Sequence, residues 1–237
     1  MSADDLIVVE QVSKSFGSYP ALNQVNLRVR RGECLLLAGA NGAGKSTLLR
    51  LLAGLGRPSR GRILIAGAEP HHSPVARAAL GLVSHHPLLY EDLTARENLL
   101  FFARLYGLPD REERTRQAVA DAGLEARQHH RVRTYSRGMK QRLALARAAL
   151  HRPSVLLFDE PYTGLDQRAA QSLSQYLTGM KQSGCTTILV THRMDEAVGA
   201  IDRLAILRRG RLCHDSAWSG DDLTALESLY ERHLEGP

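Results

Sequence analysis

Short apolar runs alternate along the chain with longer stretches whose apolar residues recur every three to four positions. Residues 6–12, 25–29 and 33–38 read as strands. A helix is expected over 45–53, where Leu48, Leu49, Leu51 and Leu52 supply an apolar face. Two further short strands are expected at 63–65 and 80–83. The middle of the chain is helical. Residues 94–106 carry Leu99, Leu100, Phe102, Ala103 and Tyr106; 110–121 are charged, with Glu112 and Arg116 at i,i+4 spacing; 137–150 gather Leu143, Ala146, Ala149 and Leu150 on one side. Alternation then resumes. Residues 155–158 are apolar without interruption, the pattern of a strand buried on both faces of a parallel sheet. A helix over 167–181, a strand over 186–190, a helix over 193–200, a strand over 203–207 and a polar helical tail over 221–234 complete the pattern. Strand–helix–strand order at both ends, with helices inserted between, predicts an α/β domain with a central parallel sheet and a helical insertion. No internal repeat or low-complexity linker divides the chain.

Composition narrows the class. Of 237 residues, 43% are hydrophobic and 24% charged, which excludes disordered, collagen-like and disulfide-scaffold chains. Thirty-one basic residues against 25 acidic give +6. Only Lys14, Lys45, Lys140 and Lys181 are lysine; the rest are arginine. Such a balance suits nucleic acid or an anionic membrane surface, and codon bias also produces it. No run approaches the roughly 18 to 20 apolar residues needed to cross a bilayer. The acidic start, Met-Ser-Ala-Asp-Asp, lacks a signal peptide's basic and apolar regions. A cytosolic chain is expected, with any membrane work shared with a separate spanning polypeptide. Cys34, Cys185 and Cys213 are isolated, the first two at the start of apolar runs, which points to free, buried thiols rather than a zinc or disulfide framework.

The chemistry begins at Gly39-Ala40-Asn41-Gly42-Ala43-Gly44-Lys45-Ser46-Thr47, which fits G-x-x-x-x-G-K-[ST] between a strand and a leucine-rich helix. Glycines let backbone N–H groups curl around phosphate oxygens, and the helix N-terminus points at the same anion. Lys45 is expected to reach the β- and γ-phosphates of ATP, and the Ser46 hydroxyl to ligate Mg²⁺. One such loop implies one nucleotide domain. The apolar run ending at Asp159 places a second Mg²⁺ ligand at a strand's carboxyl end, and the adjacent Glu160 is the candidate to polarise the attacking water.

These residues resemble the ATP-binding subunits of ABC transporters, over most of the chain from about residue 6 to 211. Tyr135-Ser136-Arg137-Gly138-Met139 stands where that family carries Leu-Ser-Gly-Gly-Gln at a helix start. Ser136 and Gly138 are retained, Arg137 and Met139 depart. The resemblance implies that Ser136 and Gly138 close on the γ-phosphate bound to another subunit. It also implies a coupling role for Asp166 in Pro161-Tyr162-Thr163-Gly164-Leu165-Asp166, a γ-phosphate contact for His192, and adenine stacking for Phe16. His85 stands where the family places a glutamine that touches Mg²⁺, and imidazole there is shorter and titratable. The implied fold is a P-loop NTPase core with a mostly parallel central sheet, an antiparallel β subdomain and an inserted helical subdomain. As a single domain over 1–237, it would divide into a nucleotide-binding core at about 1–85 and 152–237 and a helical part at 86–151. Two copies head to tail would complete two ATP sites, and hydrolysis would open the pair.

Segments 81–85, 88–94 and 135–142 are similar to the ATPase subunit of the haem exporter of cytochrome c maturation; an exporter of drugs, lipids or polysaccharides stays open. The resemblance implies a peripheral position on the cytoplasmic face of the membrane, with a permease subunit contacting the surface from His85 to Phe102. Leu88 and Phe101 are the candidates for an exposed groove there. Soluble ABC ATPases of ribosomes or damaged DNA are the contrasting class. They usually fuse two ATPase units or carry a coiled-coil insertion, neither of which is present, and aromatics are only 5% of residues, so no nucleic acid partner is expected. Three histidine pairs, His71-His72, His85-His86 and His129-His130, invite a haem or metal reading. Adjacent residues do not share a helix face, so direct metal binding is not expected from them.

Overall fold

The computed structural model describes residues 4–84 and 86–234. A six-stranded sheet forms its centre, in the order β5 (Leu80–Val83), β6 (Val155–Asp159), β7 (Thr186–Val190), β3 (Cys34–Ala38), β8 (Arg203–Arg208), β9 (Arg211–Ala217). All neighbours are parallel except the β8–β9 hairpin. A second, antiparallel sheet has the order β2 (Tyr19–Arg30), β1 (Asp5–Phe16), β4 (Arg60–Ile65).

Strand alternation builds two cores from the central sheet. Leu35 and Leu37 of β3, with Val155 and Leu157 of β6, face α1 (Lys45–Leu52) and the antiparallel sheet. Leu36, Leu156 and Phe158 face the opposite layer of α6 (Gln167–Gln182), α7 (Met194–Ala197) and α8 (Leu223–Leu234). Full burial on both faces explains the unbroken apolar runs. Cys34 and Cys185 are free and buried in this second core, and burial pushes their thiols up to about 12 and about 11.

Helices α3 (Ala95–Leu105), α4 (Arg111–Asp121) and α5 (Arg137–Ala149) gather a third apolar cluster around Leu99, Val119, Val132 and Leu143. Thr94 opens α3 with a reciprocal cap: its hydroxyl accepts from the Glu97 N–H, and the Glu97 carboxylate accepts from the Thr94 N–H. Buried Arg147 ties α5 to the sheet edge by donating to the Leu82 carbonyl at 2.6 Å.

Asn98, fully buried in α3, accepts from the Tyr90 N–H and donates to the Tyr90 and Thr94 carbonyls. Asn98→Leu keeps the branching of the side chain but leaves the buried-side Tyr90 N–H unpaired, while the Tyr90 and Thr94 carbonyls retain only the Leu93 and Asn98 N–H groups. It is expected to cost about 1–3 kcal/mol, read as a lowered urea midpoint.

Four sequence expectations change. Glu112 does not pair with Arg116: Arg116 pairs with Glu113 at i,i+3, and Arg96 of α3 takes Glu112. The expected helix over 193–200 contracts to α7, because Arg193 has a non-helical backbone (φ −89°, ψ 76°) and its side chain pairs with Asp195 and Glu196. In α5, Ala146 and Ala149 are only partly covered, and Ala144, Leu145, Arg147 and Ala148 are buried instead. A five-residue helix, α2 (Pro74–Ala78), capped by Ser73, is additional.

Candidate nucleotide site

The phosphate loop leaves β3 at Ala38 and enters α1 at Lys45. Two glycines fix its path. At Gly39 (φ +147°) a Cβ would lie 2.3 Å from the Leu207 carbonyl oxygen of β8; at Gly44 (φ +106°) it would lie 2.6 Å from the Ala21 carbonyl of β2. The loop is therefore pressed between both sheets. The β8–β9 turn holds it as well, since the Gly210 N–H donates to the Ala43 carbonyl at 3.0 Å. Ala43 itself is buried beneath the loop.

Above the loop lies a cleft of about 280 Å³, lined by Asn41, Gly42, Gly44, Lys45, Ser46 and Thr47, with Tyr19, Ala21, Glu160 and His192 on its other walls. Lys45 is only 7% exposed, and its ammonium donates to the Gly39 carbonyl at 2.6 Å and the Ala40 carbonyl at 3.1 Å. Burial lowers its pKa, opposed by the nearby Glu160 and Asp159. The first N–H groups of α1 have no partner within the helix and open toward the same cleft.

Across the loop, Ser46 Oγ donates to Asp159 Oδ1 at 3.1 Å. Two hard oxygen donors, one from the start of α1 and one from the end of β6, thus converge, and this donor set suits Mg²⁺. His85, the third expected metal contact, lies outside the described residues.

Glu160 follows with a left-handed backbone (φ +53°) uncommon for a side chain of its size, its N–H donating to the Val190 carbonyl of β7. That turn sends the carboxylate into the cleft, away from Asp159. The His192 N–H donates to Glu160 Oε2 at 3.2 Å, and His192 Nε2 lies 3.1 Å from Oε1 without hydrogen-bond alignment. Burial raises the Glu160 pKa, and His192 and Lys45 pull it back down.

The remaining expected residues lie elsewhere. Ser136 caps α5 by accepting from the Met139 N–H, and Asp166 caps α6 by accepting from the Ala169 N–H; both are exposed. Gly138 packs its backbone beside Ala169. None of the three lines the cleft. Arg137, a departure from the family pattern, lays its guanidinium against Gly164, joining the 135–139 and 161–166 segments of one chain. Phe16 is 58% exposed at the tip of the β1–β2 hairpin, paired with Tyr19; it is Tyr19 that lines the cleft, its hydroxyl 3.5 Å from the Gly42 carbonyl. Sequence reading missed Tyr19, Ala21 and Leu207, and the only signal for Tyr19 is an aromatic beside a turn.

The sequence matches the ABC transporter family over residues 22–163, which includes the phosphate loop and Asp159–Glu160. The chain belongs to the ABC transporter ATP-binding family. Among relatives, it is 42% identical over 203 residues to the Nod factor export ATP-binding protein I of Rhizobium johnstonii, covering 84% of this chain and 65% of that protein. It is 38% identical to the protein of the same name from Bradyrhizobium diazoefficiens, over 94% of this chain and 80% of that one. The ABC cassette fold recurs in a solved ATP-binding subunit of an ABC transporter, with a TM-score of 0.86 at 32% identity over 96% of this chain and 99% of that one. It recurs also in the dimeric cassette MJ0796 bound to ADP and Pi after hydrolysis, with a TM-score of 0.80 at 27% identity over 90% and 99% of the two chains. As an ABC cassette the chain has the expected α/β core, antiparallel sheet and helical insertion.

Proposed function

We propose that this chain hydrolyses ATP as the energy-supplying subunit of an ABC exporter. The observation that carries the reading is the convergence of Lys45, Ser46, Glu160 and His192 on one cleft at the carboxyl ends of parallel strands, with Asp159 bonded to Ser46 at its edge. Backbone N–H groups of the loop and the Lys45 ammonium bind the phosphates; the carbonyls that Lys45 now holds are given up for a stronger anion. Ser46 and Asp159 would hold Mg²⁺, which when bound neutralises charge on the phosphate oxygens. Glu160 takes the proton of the attacking water, and His192 orients the carboxylate and faces the γ-phosphate. Phe16 or its neighbour Tyr19 supplies the aromatic wall for the adenine.

Ser136 and Gly138 complete this machinery from a second copy. They lie outside the chain's own cleft, at a helix start suited to an anion. Asp166, exposed beside them, is placed to couple the two sites. Two clefts would then close only as a pair, and loss of the γ-phosphate would release it. Phosphate release per mole of chain is therefore expected to rise with chain concentration until the pair saturates. A rate per chain that is constant from nanomolar to high micromolar concentration counts against the shared site.

The membrane partner is expected at the surface that includes Leu88, Tyr90 and Phe101, which are 48%, 51% and 40% exposed, with the Tyr90 and Phe101 rings 5.0 Å apart. Among the described residues no helix is long and apolar enough to cross a membrane, so this contact would hold the chain peripherally at the cytoplasmic face. Export rather than import follows the Nod factor exporters among its relatives, of whose length the chain spans 65% in the Rhizobium johnstonii case. Haem export is the finer reading offered by the sequence of segments 81–85, 88–94 and 135–142, and the Nod factor relatives do not favour it. Co-purification with a membrane protein, followed by stimulation of its ATPase activity by haem or by a Nod factor, separates the two cargoes.

A further inference from the structure

Among the described residues, Glu69, His71 and His72 bring one potential ligand atom each to within 4.8 Å of one another. The cluster sits in the turn between β4 and α2, far from the nucleotide cleft. Sequence reading argued against a metal here because adjacent histidines point apart on a helix. The chain at 69–73 is a tight turn instead, in which the His72 and Ser73 N–H groups both donate to the Glu69 carbonyl. That turn folds the Glu69 side chain back beside both rings, whose centroids are 4.1 Å apart.

The frame of the turn is fixed without help from these three side chains. Ser73 Oγ accepts from the Ala76 N–H, and the Pro70 carbonyl accepts from Arg77 Nη1 at 2.9 Å. The backbone that carries the three groups is therefore held in place, and the groups make little use of one another: His71 Nε2 is 3.7 Å from Glu69 Oε2, beyond a hydrogen bond. The carbonyl end of α1 abuts the same turn, since a Cβ on Gly54 would meet the Pro70 oxygen at 2.8 Å. Its partial negative charge favours a cation there, against the opposing charge of Arg57.

We propose that Glu69, His71 and His72 form a binding site for a borderline divalent transition metal of the zinc class. Two imidazoles and one carboxylate are the donor set of open zinc sites, and imidazole nitrogen selects zinc, nickel or copper over magnesium and calcium. Tetrahedral bonds of about 2.0–2.1 Å require donors about 3.3–3.5 Å apart, so the site contracts by about 1 Å on binding. Exposed His72 supplies that movement by side-chain rotation, while His71 stays packed, its side chain 11% exposed. A fourth position stays open to water. The site lies at the far end of α1 from Lys45, about 12 Å along a helix of eight residues, so it is separate from the Mg²⁺ ligands.

The test uses untagged, nucleotide-free full chain titrated with Zn²⁺ against a chromophoric chelator, and with Co²⁺ by visible absorption. One tight equivalent is expected, with a d–d spectrum free of thiolate charge-transfer bands. His72→Ala, at an exposed position that leaves the fold intact, should weaken it at least tenfold, as should Glu69→Gln. His192→Ala should leave it unchanged, because that histidine is the one that could mimic a site in the nucleotide cleft. Absence of a stoichiometric equivalent, or its persistence in the His71→Ala/His72→Ala double variant, overturns the proposal.

Discussion

Glu160→Gln is expected to stop ATP turnover while leaving nucleotide binding in place. The substitution keeps the shape of the side chain and its acceptor oxygen for the His192 N–H but removes the base. Loss of a positioned general base costs roughly a hundredfold to ten-thousandfold in rate. Because binding survives and hydrolysis does not, the variant should accumulate as an ATP-bound pair, visible as a mass doubling on size exclusion with ATP and Mg²⁺. The native chain should show the corresponding acid limb. The base works deprotonated, and burial raises its pKa above the ordinary carboxylate value, so kcat/KM is full above that raised pKa and falls as pH drops through it. A variant that hydrolyses ATP at the native rate would remove Glu160 from the mechanism.

Gly39→Ala is expected to abolish nucleotide binding, whereas Gly42→Ala is expected to weaken it only modestly. Both residues have positive φ, +147° and +79°, so each substitution carries backbone strain. Only at Gly39 does the new Cβ meet backbone, 2.3 Å from the Leu207 carbonyl; at Gly42 nothing lies within 4 Å. β8 cannot yield without loosening its pairing with β3, so the loop must move and carry Lys45 with it. The expected difference is about 1–2 kcal/mol for Gly42→Ala and about 3–5 kcal/mol for Gly39→Ala. Titration with a fluorescent ATP analogue would rank them, and equal losses would mean that the β8 contact does not set the loop's path.

Local chemistry was legible in the sequence and distant support was not. The loop 39–47, Asp159 and Glu160 belong to contiguous strings whose residue types suggest a task, and the structure places much of the loop and Glu160 around one cleft, with Asp159 joined to it through Ser46. The contacts that shape that cleft come from Ala21 and Leu207, 18 and 168 positions from Gly39, and no local pattern announces them. Buried strands such as β6 were legible because both faces are apolar. β1 and β2 run longer than their apolar stretches, since backbone pairing continues through Lys14, Ser15 and Pro20 without demanding apolar side chains. α2 is too short at five residues for a period to show. The Glu112 error arose from treating α4 as isolated, when α3 supplies a competing arginine. At 71–72 the chain turns where helix geometry is the sequence expectation, so the approach of Glu69 to both rings is not legible from the spacing alone.

The burial of Cys34 and Cys185 has an experimental use. Thiols held mostly protonated at neutral pH are poor nucleophiles, which leaves half-buried Cys213 as the remaining sulfur for a maleimide. A Cys213→Ser background would therefore be nearly blank to labelling. Adding Thr134→Cys, exposed two residues before Ser136, would put one dye near the rim where a second copy is proposed to arrive, and two such chains would report their approach and separation by fluorescence transfer, turnover by turnover.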